Sequence, residues 1–152
     1  MLISRSGQYA IQAMIYISLG EHKTPVISQD IADGIHVPAA YLSKIMQMLC
    51  KGGLISSHRG RQGGFFLNEQ PEDINLLRIV HVTEGEHFSK DCVLGLKDCG
   101  DDTACPLHHD KWKPLKAKIV AMLEEQNLFL LAETVRSGQY RLSDFPNVLI
   151  PV

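Results

Sequence analysis

The stretch from Pro38 to Leu67, PAAYLSKIMQMLCKGGLISSHRGRQGGFFL, constrains the fold more than any other part of the chain. Leu42, Ile45, Met46 and Leu49 recur at steps of three and four, so they share one face of a helix. Pro38 suits the first turn of that helix, and Gly52 and Gly53 suit its end. The opposite face is left with Ala39, Ala40, Ser43, Lys44 and Gln47, which is small and polar rather than acidic. Residues 54–67 then read as a β-hairpin, with strands at about 54–58 and 64–67 flanking RGRQGG. The glycines there permit the positive φ angles of a tight turn.

Two more helices precede this stretch. Tyr9, Ala10, Ala13, Met14 and Ile17 have helical spacing within residues 6–20, ended by Gly20. Ser28 is placed to N-cap a short helix, SQDIADGI. The order of a short helix, a second helix and a two-stranded hairpin is that of a winged helix-turn-helix, with SQDIADGI first, the Pro38 helix as recognition helix and the hairpin as wing. In that fold the recognition helix enters the major groove, which would put Tyr41, Ser43, Lys44 and Gln47 at base edges. Ser4, Arg5, Ser28 and Gln29 are available to hold the phosphate backbone. Arg59 and Arg61, on a slim turn, can enter a narrow minor groove. Charge agrees with an anionic partner for this half: residues 1–67 hold 6 Lys/Arg against 3 Asp/Glu, whereas the whole chain has a net charge of −2.

Beyond the hairpin, residues 74–84 form another amphipathic helix, and residues 107–135 read as one long helix. Trp112, Leu115, Ile119, Met122, Gln126 and Phe129 alternate steps of three and four along it, the spacing of a helix–helix seam. Such a seam fits a homodimer and equally fits packing within one chain. The tail SDFPNVLIPV has no pattern and reads as extended. The expected architecture is therefore mainly α with a small β-hairpin wing. It divides into a winged helix-turn-helix DNA-binding domain at 1–84, a cysteine-rich loop at 85–106, a dimerisation helix at 107–135 and a C-terminal segment at 136–152.

The loop carries its own chemistry. Cys92, Cys99 and Cys105 are separated by six and five residues, and His108 follows three positions after the last. Together they would complete four ligands for one soft metal centre, with His109 as an alternative to His108. A Cys3His zinc site is one reading, but the short C-x2-4-C knuckles usual for zinc are missing. The longer intervals suit an iron–sulfur cluster, which takes thiolates and sometimes histidine. Pro106 puts Cys105 at a helix amino terminus, whose dipole favours thiolate. Cys50, inside the recognition helix, reads as a small core residue. No apolar run approaches the roughly 20 residues of a membrane span. Gln8 and Gln12 interrupt the first helix, so it does not read as a signal peptide, and a cytoplasmic protein with reduced thiols is expected. The absence of a C-x-x-C motif argues against a thiol–disulfide enzyme.

SRSGQYAIQAMIYIS, the block YLSKIMQMLCKGGLISSHRGRQGGFFL and the three-cysteine loop before a long helix together resemble the IscR/NsrR-type winged-helix transcription regulators, a bacterial superfamily of iron–sulfur cluster-binding repressors and redox sensors. The resemblance runs from about residue 3 to residue 143. It implies a homodimer that reads a palindromic operator in double-stranded DNA. It also implies a cluster held by Cys92, Cys99 and Cys105. His108 matches the branch with a [2Fe–2S] cluster, whereas the [4Fe–4S] branch takes an acidic ligand from the partner's first helix, at the position of Gln8 here. [2Fe–2S] is therefore favoured over [4Fe–4S]. Two departures stand out: the first cysteine interval is six residues where five is common, and Ser43 replaces a frequent acid of the base-reading helix.

Overall fold

The computed structural model describes residues 2–86, 91–96, 100–102, 105–139 and 141–142. Helix α1 spans Arg5–Ser18, α2 Ser28–Gly34 and α3 Ala39–Lys51. Strands β1 (Ile55–His58) and β2 (Gly64–Leu67) follow, then a 3-10 turn at Pro71–Asp73 and α4 at Leu76–Glu84. After the cysteine segment, a π turn at His108–Trp112 runs into α5 (Lys113–Glu125), and α6 covers Leu128–Arg136. The fold is the mainly helical winged helix expected, with one two-stranded sheet among the described residues.

The apolar stripe read from α3 is the centre of the core: Leu42, Ile45, Met46 and Leu49 are all buried. They pack with Ala10, Ala13, Met14 and Ile17 of α1 and with Ile31 and Ala32 of α2. Each large side chain so buried contributes roughly 1.5–3 kcal/mol relative to leaving it in water. Leu54, Ile55 and Leu67 seal the base of the hairpin, which pairs antiparallel from Ile55 opposite Leu67 to His58 opposite Gly64. Val26 adds a third, one-residue rung: its N–H donates to Phe65 O at 2.8 Å, and Phe65 N–H donates back at 2.9 Å. Gly64, at φ +154°, is required for that approach, because a Cβ there would lie 2.6 Å from the Val26 carbonyl carbon. A Cβ at Gly7, between α1 and α4, would stand 2.6 Å from Glu84 Oε1, so the Glu84 side chain would have to shift.

Three sequence readings change here. Ser28 was expected to cap α2, but it is the helix's first residue; Ile27 holds the cap position, and no side chain caps the helix. The first helix ends at Ser18 with Leu19 as its cap, before Gly20 is reached. The largest change is that residues 107–135 are not one helix. The backbone turns extended at Gln126 (ψ 127°) and Asn127 (ψ 169°). There it pairs with the start of α4: Leu76 N–H donates to Gln126 O at 2.9 Å, and Leu128 N–H donates to Ile74 O at 3.0 Å. Asn127 then caps α6, its Oδ1 accepting from Leu130 N–H at 2.9 Å. An Asn side chain competes for backbone groups in a helix interior and does better at a cap. The turn lets α6 fold back, burying Leu128 and Ala132 in the same chain. Arg136 Nη2 ties the end of α6 to Ser18 O at 2.7 Å.

Helix α5 is anchored by a smaller cluster, Leu123 with Leu77 and Val80 of α4, flanked by Ile119 and Val120. Asn75 caps α4, accepting from Arg78 N–H at 3.0 Å. Arg78 forks onto Glu69 (Nη1 to Oε2 2.8 Å, Nη2 to Oε1 2.6 Å) and clips α4 to the segment after the wing. The guanidinium hydrogen bonds hold the Glu69 carboxyl below its ordinary value. The tail from residue 143 onward lies outside the described residues.

Candidate DNA interface and metal-ligand loop

Packing one face of α3 into the core leaves the other in water. Ala39, Ala40, Ser43, Lys44 and Gln47 are exposed. Tyr41 is not free in the same way. Its ring stands edge-on to Tyr9, with centroids 5.8 Å apart, and its hydroxyl hydrogen-bonds Ser6 Oγ at 2.9 Å. Tyr41 therefore locks α3 to α1, and a base contact would have to compete with that bond. The wing tip is a narrow turn closed by Gly63 N–H to Gly60 O at 3.0 Å, with Arg59 and Arg61 both exposed on it. Asn68 braces the hairpin base, donating to Gly53 O at 2.7 Å and accepting from Ser56 Oγ at 2.6 Å.

The residues expected to grip phosphates divide. Gln29 is exposed and donates to Asp33 Oδ1 at 2.9 Å, while Ser28 and Arg5 are half-buried. Ser4 caps α1, its Oγ accepting from Gly7 N–H at 3.2 Å, and that hydroxyl also donates to Glu84. Glu84 further accepts from Ser4 N–H at 3.3 Å. A carboxylate at that helix start is complementary to its dipole, and it engages the Ser4 hydroxyl and N–H. Nothing local marks Glu84 as a partner, because 80 residues separate it from Ser4.

Beyond α4, Cys92 is half-buried, and its Sγ accepts from Leu94 N–H at 3.3 Å. Trp112 Nε1–H donates to Asp91 O at 3.1 Å, pinning the loop beside the start of α5. A cleft of about 400 Å³ opens there between Cys92, Trp112, Ile119 and Val120. Cys105 is half-buried immediately before the helical run that starts at Pro106, and its carbonyl accepts from His108 N–H (3.1 Å) and His109 N–H (3.3 Å). His108, only 5% exposed, lies one turn on. Its Nε2 is 3.4 Å from Asp101 Oδ1, which also takes Lys113 Nζ at 2.7 Å. Those two contacts, Lys113 first, hold the Asp101 carboxyl below its usual range. Among the described residues, the donors that come within 4.8 Å of one another are Asp101, His108 and His109; Cys92 and Cys105 stand outside that group. Cys99 lies outside the described residues. Cys50 is half-buried against the core, and burial raises its thiol pKa, in keeping with a packing role.

The expected seam residues also separate. Leu115 (52% exposed) and Met122 (50%) lie two turns apart on α5 and face solvent. Trp112 and Ile119 are half-buried on their own chain, and Phe129 belongs to α6, beyond the break. Gln8 is exposed on α1 and donates to Ile3 O at 3.4 Å. Among the described residues, no helix is long and apolar enough to cross a membrane.

A winged helix with a polar recognition face and two arginines on its wing, followed by a thiol-bearing loop, defines a transcription regulator of the DNA-binding type. The chain belongs to the Rrf2 family: residues 3–134 match that family, described as iron-dependent transcriptional regulator. It is 32% identical over 151 residues to a protein of Haemophilus influenzae named as an HTH-type transcriptional regulator, covering 99% of each chain. Among solved structures, it resembles T. potens IscR (28% identity, TM-score 0.73, covering 91% of this chain and 90% of that one). It also resembles CymR, the global cysteine regulator of B. subtilis (27% identity, TM-score 0.74, 86% and 95%). These relatives are regulators rather than enzymes.

Proposed function

We infer that the protein is a homodimeric, DNA-binding regulator whose operator affinity is set by an iron–sulfur cluster in the loop before α5. The observation that carries this reading is the placement of Cys105 and the buried His108 one turn apart, with His108 N–H donating to the Cys105 carbonyl, at the start of the helical run that becomes α5. Cys92, earlier in the loop, already accepts an N–H bond at sulfur. Two half-buried thiols and a buried imidazole fit the donor chemistry of a cluster, and N–H bonds to sulfur tune such centres. Cys92, Cys99, Cys105 and His108 would hold it, with [2Fe–2S] favoured over [4Fe–4S] because the exposed Gln8 is a poor iron ligand. When bound, the cluster supplies an electron-accepting, oxidant-sensitive centre. Releasing His108 from Asp101 to reach it would alter the first turns that lead into α5.

Leu115 and Met122 support a second copy packing along α5, since apolar side chains two turns apart in water suit an intermolecular seam. In the dimer, Ser43, Lys44 and Gln47 would meet bases in the major groove, with Arg59 and Arg61 reaching the minor groove beside each half-site. Two half-sites must be met together, so a small change at the dimer helix changes affinity. The cytoplasm is the compartment this function requires. The test is anaerobic purification with absorption spectroscopy, iron and sulfide counting, and binding to promoter DNA with and without cluster. Equal binding by both forms would remove the sensor role, and absence of iron and sulfide would remove the cluster.

A thiol switch without a cluster is the second reading. The likeness to a global cysteine regulator supports it, as does the position of Cys92 and Cys105 outside the Asp101–His108–His109 group. Iron-free protein whose DNA binding responds reversibly to oxidant and dithiol would favour this reading.

A further inference from the structure

The nitrogen and oxygen donors beside the thiols form a grouping of which the cluster reading uses only His108. His108 and His109 are consecutive, and consecutive side chains of an α-helix diverge. Here they lie in a π turn, closed by Lys113 N–H donating five residues back to His108 O. Such widened turns are frequent at functional sites. The two rings meet edge to face, with centroids 5.1 Å apart. Asp101 arrives from the loop, and one donor atom from each of the three residues falls within 4.8 Å of the others. His108 is nearly sealed from water, while Asp101 and His109 are exposed, so the grouping has a buried floor and an open mouth.

We propose that Asp101, His108 and His109 form a mononuclear site for a borderline divalent cation, zinc or ferrous iron in type. Two imidazoles and one carboxylate suit such ions, whereas a sulfide-bridged cluster is built on thiolates. Three protein ligands on one side leave the outward position to water. Lys113 Nζ lies 2.7 Å from Asp101 Oδ1 and would give way to the cation, since an exposed ion pair of this kind is weak and readily exchanged. Because the cation and the cluster would both use His108, one excludes the other. That exclusion rests on the cluster reading; the cation site does not.

The test uses full-length protein stripped of iron anaerobically and titrated with Co(II), then with Zn(II) in competition. One equivalent of Co(II) is expected to bind, giving visible ligand-field bands without a thiolate-to-cobalt charge-transfer band, and Zn(II) should displace it. Cys105→Ser should leave this binding intact while abolishing cluster loading. Asp101→Asn and His109→Ala should each weaken Co(II) binding by more than about tenfold, since losing even a residue that only orients a ligand costs about 10–100-fold. Asp101→Asn should still accept a cluster on reconstitution. Lys113→Ala should tighten Co(II) binding by freeing the carboxylate. Zn(II)-loaded wild type should resist cluster reconstitution. A thiolate band that disappears in Cys105→Ser, Co(II) affinity indifferent to Asp101→Asn and His109→Ala, or no binding at all would overturn the site. Failure of cluster loading in wild type, with Co(II) binding retained, would overturn the cluster reading and leave this one standing.

Discussion

The winged-helix core and the cysteine segment are held by different forces. Residues of α1 to α3 and the hairpin base bury a continuous apolar cluster in which Met14, Leu42, Ile45 and Leu49 are shut from water. Among the described residues of 91–112 the contacts include polar ones: the Trp112 bond to Asp91, the Asp101 contacts to His108 and Lys113, and a sulfur-accepted N–H at Cys92. Val93, Leu94 and Leu96 stand in water. Packed apolar area resists change, whereas a segment held by solvent-exposed polar contacts opens at low free-energy cost. The exposed face of α3 therefore rests on packed apolar area, whereas the described residues before α5 include ones held by polar contacts.

The strongest way to break that comparison is through the core. Leu49→Ala should cost about 2–5 kcal/mol in urea unfolding, the usual cost of removing a fully buried leucine side chain. A loss below about 1 kcal/mol would mean α3 is not the centre of the fold. Next comes the junction between the two regions. Asn127→Ala should cost roughly 0.5–2 kcal/mol by removing the α6 cap, and circular dichroism should show whether α5 and α6 then fuse into the longer helix their spacing suggests.

A smaller effect is expected at Glu69→Gln, at most about 1 kcal/mol at neutral pH, because both partners of the Arg78 fork are partly solvated. The sign follows from the lowered carboxyl pKa. The fork's stabilisation is present above the ordinary value of 4.5 and is lost as pH falls through the lower folded value, so the difference from wild type should vanish in acid. Smallest of all, Cys105→Ser in metal-free protein should change unfolding free energy by no more than about 0.5 kcal/mol, as for a surface substitution. If it destabilised as much as Leu49→Ala, the cysteine segment would be part of the core and the contrast would fail.

The recognition helix was legible because its stripe is a local property: steps of three and four put Leu42, Ile45, Met46 and Leu49 on one side whatever surrounds them. The hairpin was legible because glycines mark its turn, and Gly60 and Gly64 do take positive φ. In the loop, only the one-turn separation of Cys105 and His108 followed from their i, i+3 spacing, and their backbones hydrogen-bond there. The roles of Tyr41 and Ser4 were hidden, since a polar residue on a helix looks the same whether it faces DNA or a neighbouring helix.

By itself the sequence determined the kind and order of the elements, the outward face of α3, the arginine-bearing wing, and a loop rich in soft-metal donors. The tertiary structure alone decided that the last helical stretch breaks at Gln126–Asn127, that Ser4 binds Glu84, and that Asp101 joins His108 and His109. The reason is range. Periodicity and turn chemistry record what a residue does with neighbours a few positions away. A backbone pairing between residues 74–76 and 126–128, or a carboxylate meeting a serine 80 residues earlier, depends on where the packed core carries each segment.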